Sequence, residues 1–91
     1  MEGTFDWDAI NIAHIARHNV LPPEAEQVVL NKPIDLAREV RTGELRIRQL
    51  GITNAGRILI VLSTMIDKRI RVITAHDARR RLRAYYVSIR R

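Results

Sequence analysis

The apolar positions near the N-terminus recur at intervals of three and four residues, which predicts an amphipathic helix. Its expected buried stripe consists of Ala9, Ile12, Ala13, Ala16 and Val20. Asp8 is suited to be the N-cap, and Trp7 before it is expected to pack on Ile12 as a hydrophobic staple. Asn19 tolerates the left-handed conformation and is predicted to end the helix.

A second, shorter helix is predicted from Pro22, because prolines suit a first helical turn, where no backbone N–H is needed. Its buried face is formed by Ala25, Val28 and Val29. The segment Asn31-Lys32-Pro33 is predicted to end it. No Ser, Thr or Asp precedes Pro22, so we expect a helix without a side-chain cap that depends on packing.

From Ile34 onward the apolar period changes toward that of strands. Residues 45–48 alternate an aliphatic residue with arginine, which predicts a half-buried strand with Arg46 and Arg48 on its outer face. The uninterrupted apolar run 58–62 predicts a central strand covered on both faces.

Residues 69–75 form a further predicted strand. The predicted turns at 53–56 and 65–68 are short, and short connections between consecutive strands imply antiparallel hairpins.

The last predicted helix begins with Asp77 as its N-cap. Its core stripe is predicted to be Ala78, Leu82, Tyr85 and Ile89. The neighbouring stripe is Arg79, Arg83, Tyr86 and Arg90. One face should therefore pack on the sheet, while the adjoining face presents arginine and tyrosine. Tyr86 either contacts RNA, by stacking on a base or bonding a phosphate, or packs at the rim.

The element order predicts an α+β fold: two N-terminal helices, an antiparallel meander of about four strands, and a C-terminal helix packed on the sheet. The length predicts a single domain over residues 1–91. The chain has no cysteine, no apolar run of about 18 residues and no apolar leader, which together predict a cytoplasmic protein without disulfides or a membrane span.

The charge is divided unevenly along the chain. Residues 1–45 carry four basic and eight acidic side chains, a net charge of −4, whereas residues 46–91 carry twelve basic and two acidic ones, a net charge of +10. Solubility alone does not require such segregation, although a solvated basic face is the simpler interpretation. The split favours a polyanionic partner, RNA first of all.

Arginine predominates over lysine by fourteen to two, and its planar guanidinium suits bidentate phosphate contact. Residues 79–81 are arginines at a predicted helix start, where the helix dipole disfavours cations by about 0.3–1 kcal/mol each. Either this placement reflects an arginine-rich composition, or the three arginines 79–81 form an anion site with the helix start.

His76 lies beside this predicted anion site and could serve as a general acid or base, or could simply bond a backbone carbonyl. His14 and His18 are four residues apart but have no third candidate ligand, so we read both as structural or solvated and predict no metal site or cofactor. Carboxylates for a metal-dependent nuclease are not expected on the basic half, since Asp67 and Asp77 are assigned to a turn and a cap. Any RNA cleavage would then use the substrate's own 2′-OH, with arginines stabilising charge on phosphorus.

Several motifs occur in an order that resembles the BrnT-type toxins of bacterial toxin–antitoxin pairs. They are Phe5-Asp6-Trp7-Asp8, Arg17-His18-Asn19-Val20, Glu44-Leu45-Arg46, Gly51, Gly56-Arg57, the strand from Arg69 to Ala75, and the arginine-rich helix that ends in Tyr85. The chain differs from the family's usual residues at Asn19 (glycine), His76 (often arginine) and Leu82 (often acidic).

The resemblance implies a RelE-like fold, ribonuclease activity that halts translation, and a hetero-oligomer with a cognate ribbon-helix-helix antitoxin. It also implies that the active surface includes Arg57, Arg71, the position of His76 and the arginines of the last helix. With the residue-based arguments, the predicted catalytic set is His76, Arg57, Arg71, Arg79 and Arg80. The predicted RNA-binding set is Arg46, Arg48, Arg69, Arg83, Tyr86 and Arg90.

Two other functions remain open. The first is a non-catalytic module that binds RNA or a partner protein on the same scaffold, which the residues at positions 76 and 82 favour. The second is a basic face whose main partner is an acidic protein.

Overall fold

A computed structural model describes residues 4–90 as a four-stranded sheet with helices on both faces. The elements are α1 (Ala9–Ala16), α2 (Pro22–Leu30), β1 (Ile34–Arg41), β2 (Glu44–Ile52), β3 (Ile58–Ile66), β4 (Arg69–Asp77) and α3 (Arg80–Ile89). The strands are antiparallel in the order β1-β2-β3-β4, which confirms the predicted α+β meander.

Two-residue turns set the register of the outer hairpins. Thr42 and Gly43 join β1 to β2 with φ values of 52° and 76°, and Asp67 and Lys68 join β3 to β4 with φ values of 48° and 65°. Positive φ at both central residues is the geometry of the type I′ hairpin turn, which matches the twist of the flanking strands. The observed turn, residues 67–68, is therefore shorter than the predicted turn at 65–68, because β3 continues to Ile66.

The hydrophobic core has two layers, one on each face of the sheet. The layer between the sheet and helices α1 and α2 consists of Ile15, Val20, Ala25, Val28, Leu59, Val61, Val72 and Ala75. The layer between the sheet and α3 consists of Leu50, Ile60, Ala78 and Tyr86. Since β3 contributes to both layers, the prediction that residues 58–62 form a strand covered on both faces is confirmed.

Helix α1 buries a different face from the one predicted. Asp8 is the N-cap as expected, and its carboxylate accepts from the backbone N–H of Ile10 and Asn11. The buried positions, however, are Asn11 and Ile15, whereas Ile12 is 40 % exposed. Asn11 can be buried because its amide bonds the Asp8 N–H and two backbone carbonyls, so counting apolar residues alone selected the wrong stripe.

The chain leaves α1 through a Schellman turn. The Val20 N–H donates to the Ile15 carbonyl at 3.2 Å, and the Asn19 N–H donates to the Ala16 carbonyl at 3.0 Å. Asn19 has φ 58°, so the prediction that it takes the left-handed position is confirmed. This turn brings Arg17 and His18 to the same end of the sheet as the end of β4.

Helix α2 starts without a side-chain cap, as predicted; its Glu24 carboxylate instead accepts from the Leu21 N–H at 2.9 Å. It buries Ala25 and Val28 and passes very close to β2. A Cβ built on Gly51 would lie 2.9 Å from Cγ1 of Val28, so only glycine fits this crossing without displacement.

Helix α3 begins later than predicted. Asp77 pairs with Leu59 as the last residue of β4, and Arg79 is the N-cap, so the assignment of Asp77 as a cap was wrong. The Asp77 carboxylate instead accepts hydrogen bonds from Arg57. The predicted core stripe was also wrong at its C-terminal end, since Tyr86 is 5 % exposed and Tyr85 is 47 % exposed.

The outer edge of β4 is covered by the N-terminal segment. The Asp6 N–H donates to the Ile70 carbonyl and the Ile70 N–H donates to the Thr4 carbonyl, each at 2.8 Å. Phe5 forms a parallel bridge with Ile70. This pairing places the carboxylates of Asp6 and Asp8 next to the basic strand β4.

Candidate nucleic-acid interface

Helix α3 covers only one end of its sheet face, and an open cleft lies beside it. The cleft has a volume of about 320 Å³ and is lined by Leu36, Arg48, Ile60, His76, Arg79 and Leu82. Three predicted site residues thus meet here from separate elements: Arg48 from β2, His76 from β4 and Arg79 from the start of α3. The remaining lining residues give the cleft an apolar floor.

A second depression continues from this cleft across β1 and β2. It has a volume of about 210 Å³ and is lined by Ala37, Glu39, Arg46, Arg48 and Leu62. Arg48 belongs to both depressions, so together they form one continuous surface. Arg46 is less available than Arg48, because its Nε lies 2.9 Å from a carboxylate oxygen of Glu44.

Arg48 and Arg79 carry uncompensated positive charge. Within the part of the chain that the structure describes, neither forms an ion pair with a carboxylate. The first turn of α3 also contains no acidic residue. Arg79 therefore adds a full charge to the partial positive charge of a helix start. An anion between the two arginines would meet no carboxylate bound to either.

His76 is oriented by its own backbone. Its Nδ1 lies 3.0 Å from the Asp77 carbonyl oxygen. Because a carbonyl can only accept, this contact requires a proton on Nδ1, which leaves Nε2 with the lone pair in the neutral ring. The ring also meets the ring of His18 edge to face, with centroids 5.8 Å apart and planes at 61°.

Arg57 contacts the protein with every nitrogen of its guanidinium group. Nε and Nη2 bond the carboxylate of Asp77 at 2.9 and 3.2 Å. Nη1 bonds the Asn19 carbonyl at 2.6 Å and Glu24 at 3.1 Å, and Nη2 also reaches the His18 carbonyl at 3.3 Å. Arg57 thus joins the ends of α1 and β4 to the start of α2, and it does not line the cleft.

These contacts change the protonation equilibria of both partners. The hydrogen bond from Arg57 holds the pKa of Asp77 below its usual value, despite some burial that acts in the opposite direction. The same bond, with a further one to Glu24, raises the pKa of Arg57. The predicted phosphate contact of Arg57 stays a prediction, and it would have to compete with these two carboxylates.

Arg71 is occupied in a similar way at the other end of β4. Its Nη1 lies 3.1 Å from Asp8 and 3.5 Å from Asp6, and Arg69 lies 3.7 Å from Asp6. The Arg71–Asp8 hydrogen bond raises the pKa of Arg71 and lowers that of Asp8. Its role in phosphate binding likewise stays a prediction.

Folding nevertheless brings carboxylates of the acidic half next to arginines of the basic half. Asp6, Asp8 and Glu24 come from the acidic N-terminal half and reach it through folding, and each is bound by an arginine. Among residues 4–90, no three histidine or acidic side chains are grouped so that they could hold a metal ion.

The predicted arginine stripe of the last helix is divided between two sides of α3. Arg79 faces the cleft with His76, whereas Arg80 and Arg83 border a separate groove of about 640 Å³ with Ile58 and Val87. Arg83 also donates to the Ala78 carbonyl at 3.0 Å. The structure thus separates Arg80 from the residues with which it was predicted to act.

Tyr86 was predicted to face RNA, and this placement was wrong. Its ring is buried in the core under α3, and the guanidinium carbon of Arg90 lies 5.4 Å from the ring centroid. Arg90 also donates to the Lys32 carbonyl. The spacing of Ala78, Leu82 and Tyr86 at successive intervals of four residues was the signal that could have identified the buried tyrosine.

Sequence reasoning did not identify His18 as part of the site, and reading it as structural or solvated overlooked its contact with His76. The signal lay in the Arg17-His18-Asn19-Val20 motif, whose histidine precedes the left-handed Asn19. Fifty-eight positions separate the two histidines in the sequence, so no local pattern could pair them.

Comparison with known families gives one result. A family model described as the ribonuclease toxin BrnT of type II toxin–antitoxin systems matches residues 7–81. This range includes both N-terminal helices, the whole sheet and the first residues of α3. A search of curated proteins finds no match to the chain. None of the helices in the described part of the chain is long and apolar enough to cross a membrane.

Proposed function

The chain belongs to the BrnT family of ribonuclease toxins of type II toxin–antitoxin systems, and from this premise we propose that it is a metal-independent endoribonuclease whose cleavage of RNA inhibits translation. The observation that carries the proposal is the cleft in which Arg48 and Arg79, neither of which forms an ion pair with residues 4–90, lie with His76. A phosphodiester in this cleft meets positive charge and an imidazole at the same time.

The chemistry requires no metal ion. The 2′-OH of the substrate attacks the adjacent phosphorus and the P–O5′ bond breaks, which releases the 5′ oxygen as the leaving group. The guanidinium groups of Arg48 and Arg79 stabilise the additional negative charge on the phosphoryl oxygens. Nε2 of His76 carries the lone pair in the neutral ring and accepts the 2′-OH proton. The apolar floor made by Leu36, Ile60 and Leu82 limits water around these charges and strengthens their interaction.

The RNA chain on either side is bound by further arginines. Arg46 extends the cleft across β2, and Arg80 and Arg83 lie on the far side of α3. Arg69 and Arg90 provide positive charge at the periphery. Phosphate contacts of this kind make binding depend strongly on salt and little on sequence.

The protein acts in the cytoplasm as one domain, and a cognate antitoxin of the ribbon-helix-helix type neutralises it in a hetero-oligomer. Membership in a type II toxin–antitoxin family supports the existence of an antitoxin. Its acidic side chains would compensate Arg48 and Arg79 and thereby block access of RNA to His76.

The test is cleavage of RNA by the purified protein in buffer that contains EDTA. We compare wild type, Arg48→Ala/Arg79→Ala and Arg38→Ala, in which Arg38 is the control because it lies opposite Ile47 on the other face of the sheet. The double variant should lose activity by at least about 100-fold, as expected when groups that stabilise transition-state charge are removed, while the control should retain it. Intact RNA after incubation with wild-type protein, together with unchanged growth on expression without the adjacent antitoxin gene, would refute the proposal.

A non-catalytic RNA- or protein-binding module is the second candidate, favoured by His76 and Leu82 at cleft positions where the family often has arginine and an acidic residue. Binding through about five phosphates of single-stranded RNA would give a salt slope of roughly −3.5. Salt-sensitive binding without cleavage, unchanged by His76→Ala, would favour this candidate.

A further inference from the structure

We propose that His18 and His76 act together on one RNA phosphate, His76 as the general base and His18 as the general acid. The inference rests on the proposed ribonuclease function and adds a second catalytic side chain to it. The observation behind it is the juxtaposition of the two rings, whose centroids lie 5.8 Å apart although the residues belong to α1's terminal turn and to β4.

The separation of the two histidines is fixed by the backbone. The Schellman turn holds residues 18–20 at the end of α1, and Arg57 donates to the His18 carbonyl at 3.3 Å. The same guanidinium bonds the carboxylate of Asp77, the residue after His76, at 2.9 Å. The side chain of Arg57, the residue before β3, thus holds both histidine-bearing segments, which makes Arg57 a positioning residue.

The hydrogen bond of the His76 ring and the exposure of His18 assign the roles of the two residues. His76 donates through Nδ1 to the Asp77 carbonyl, so its neutral form presents a basic Nε2. The ring of His18 forms no hydrogen bond with protein among residues 4–90, and the residue is exposed. Its protonated form can therefore donate to a bound group.

The reaction uses one proton transfer at each ring. Nε2 of His76 takes the proton from the ribose 2′-OH as the O2′–P bond forms. The P–O5′ bond breaks, and a ring N–H of His18 gives its proton to the departing 5′ oxygen. The products are a 2′,3′-cyclic phosphate and a 5′-OH end, and the enzyme is left with His76 protonated and His18 neutral.

Charged groups from every neighbouring element surround the pair. Asp77 and Glu24 are both bound by Arg57, so these three groups together leave one net negative charge. Arg48 and Arg79 line the cleft beside His76, Arg83 acts on Asp77, and Arg17 adjoins His18 in the chain. The net charge near the two rings is positive, and the negative charge of a bound phosphate offsets part of it while His18 is protonated.

The experiment measures kcat/KM for a short oligoribonucleotide in EDTA-containing buffer from about pH 5 to pH 9, around the range in which imidazole titrates. His18→Gln and His76→Gln are compared with wild type and with His14→Gln. His14 is the matched control, because it is an exposed histidine on the last turn of α1, four residues before the exposed His18.

Wild type should show a bell-shaped profile. His76→Gln should lose the acidic limb and His18→Gln the alkaline limb, each with a rate decrease of about 10²- to 10⁴-fold. A substrate with sulfur in place of the 5′ oxygen has a leaving group that needs no proton, so it should restore most of the rate of His18→Gln and none of that of His76→Gln. Such rescue cannot arise from a variant that fails to fold.

Suppose that wild type cleaves RNA and that His18→Gln keeps the wild-type rate and both limbs of the pH profile. This result would overturn the assignment of His18 as the general acid and leave the proposed function intact. A slow His18→Gln that the sulfur substrate does not rescue would also overturn it, because the loss would then be structural. Failure of wild type to cleave either substrate would instead contradict the proposed function itself.

Discussion

Replacing Arg57 with glutamine should destabilise the fold by about 2 kcal/mol. The part-buried bond to Glu24 provides most of this, since a hydrogen bond to a charged group contributes about 1.5–3 kcal/mol. The Asp77 contact is more exposed, so we assign it about 0.5 kcal/mol, as for surface ion pairs. The Arg57 side chain itself is 26 % exposed, and for that reason we take the lower end of each range.

Urea unfolding followed by circular dichroism and by the fluorescence of Trp7, the single tryptophan, measures this difference. The midpoint should fall without a change in slope, because the surface exposed on unfolding stays the same. For a domain of this size the melting temperature should fall by about 8–16 °C, at 4–8 °C per kcal/mol.

Arg38→Gln is the matched control, since Arg38 forms an exposed pair with Asp35 at 3.7 Å and should change stability by less than about 0.5 kcal/mol. If Arg57→Gln were as stable as this control, the network would contribute nothing to the fold. Arg57 would then be available for phosphate, as the sequence first suggested. A double-mutant cycle with Glu24→Gln would show how much of the loss belongs to that pair.

Three further predictions concern stability and can be checked by the same unfolding measurements. The pKa of Asp77 is lower in the folded than in the unfolded state, so its contribution to stability is present above the unfolded pKa of about 3.9 and is lost as the pH falls below that value. Asp77→Asn should weaken this dependence of stability on acid. An unaltered pH profile of stability would contradict the ion pair. Gly51→Ala should cost about 1–3 kcal/mol, because the added Cβ would lie 2.9 Å from Cγ1 of Val28, and a neutral result would show that α2 can move away from β2. Tyr86→Ala should cost about 3–5 kcal/mol and Tyr85→Ala less than about 1 kcal/mol, and equal losses would be inconsistent with the buried position of Tyr86.

Local chemistry was read correctly from the sequence where one segment decides the outcome. The carboxylate of Asp8 caps α1, and Asn19 adopts the left-handed conformation that ends its last turn. The apolar run from Ile58 to Leu62 became a strand covered on both faces. These features depend on neighbours within a few residues, so the sequence contains the information directly.

Helix faces were less predictable, because burial depends on what a helix meets. Asn11 is buried in α1 since backbone carbonyls of Asp6 and Val72 satisfy its amide, and no count of apolar residues anticipates such partners. In α3 the N-cap is Arg79 rather than Asp77, and Tyr86 rather than Tyr85 reaches the core.

The sequence by itself determined the α+β order of elements, the excess of arginine in the second half and the motifs that resemble the BrnT family. Among residues 4–90, only the tertiary structure decided which arginines form ion pairs with carboxylates and which do not. Carboxylates from the acidic half bind Arg57 and Arg71, whereas Arg48 and Arg79 keep their charge beside His76. It also placed His18 against His76, because antiparallel pairing and a helix-ending turn bring together residues that are distant in the chain.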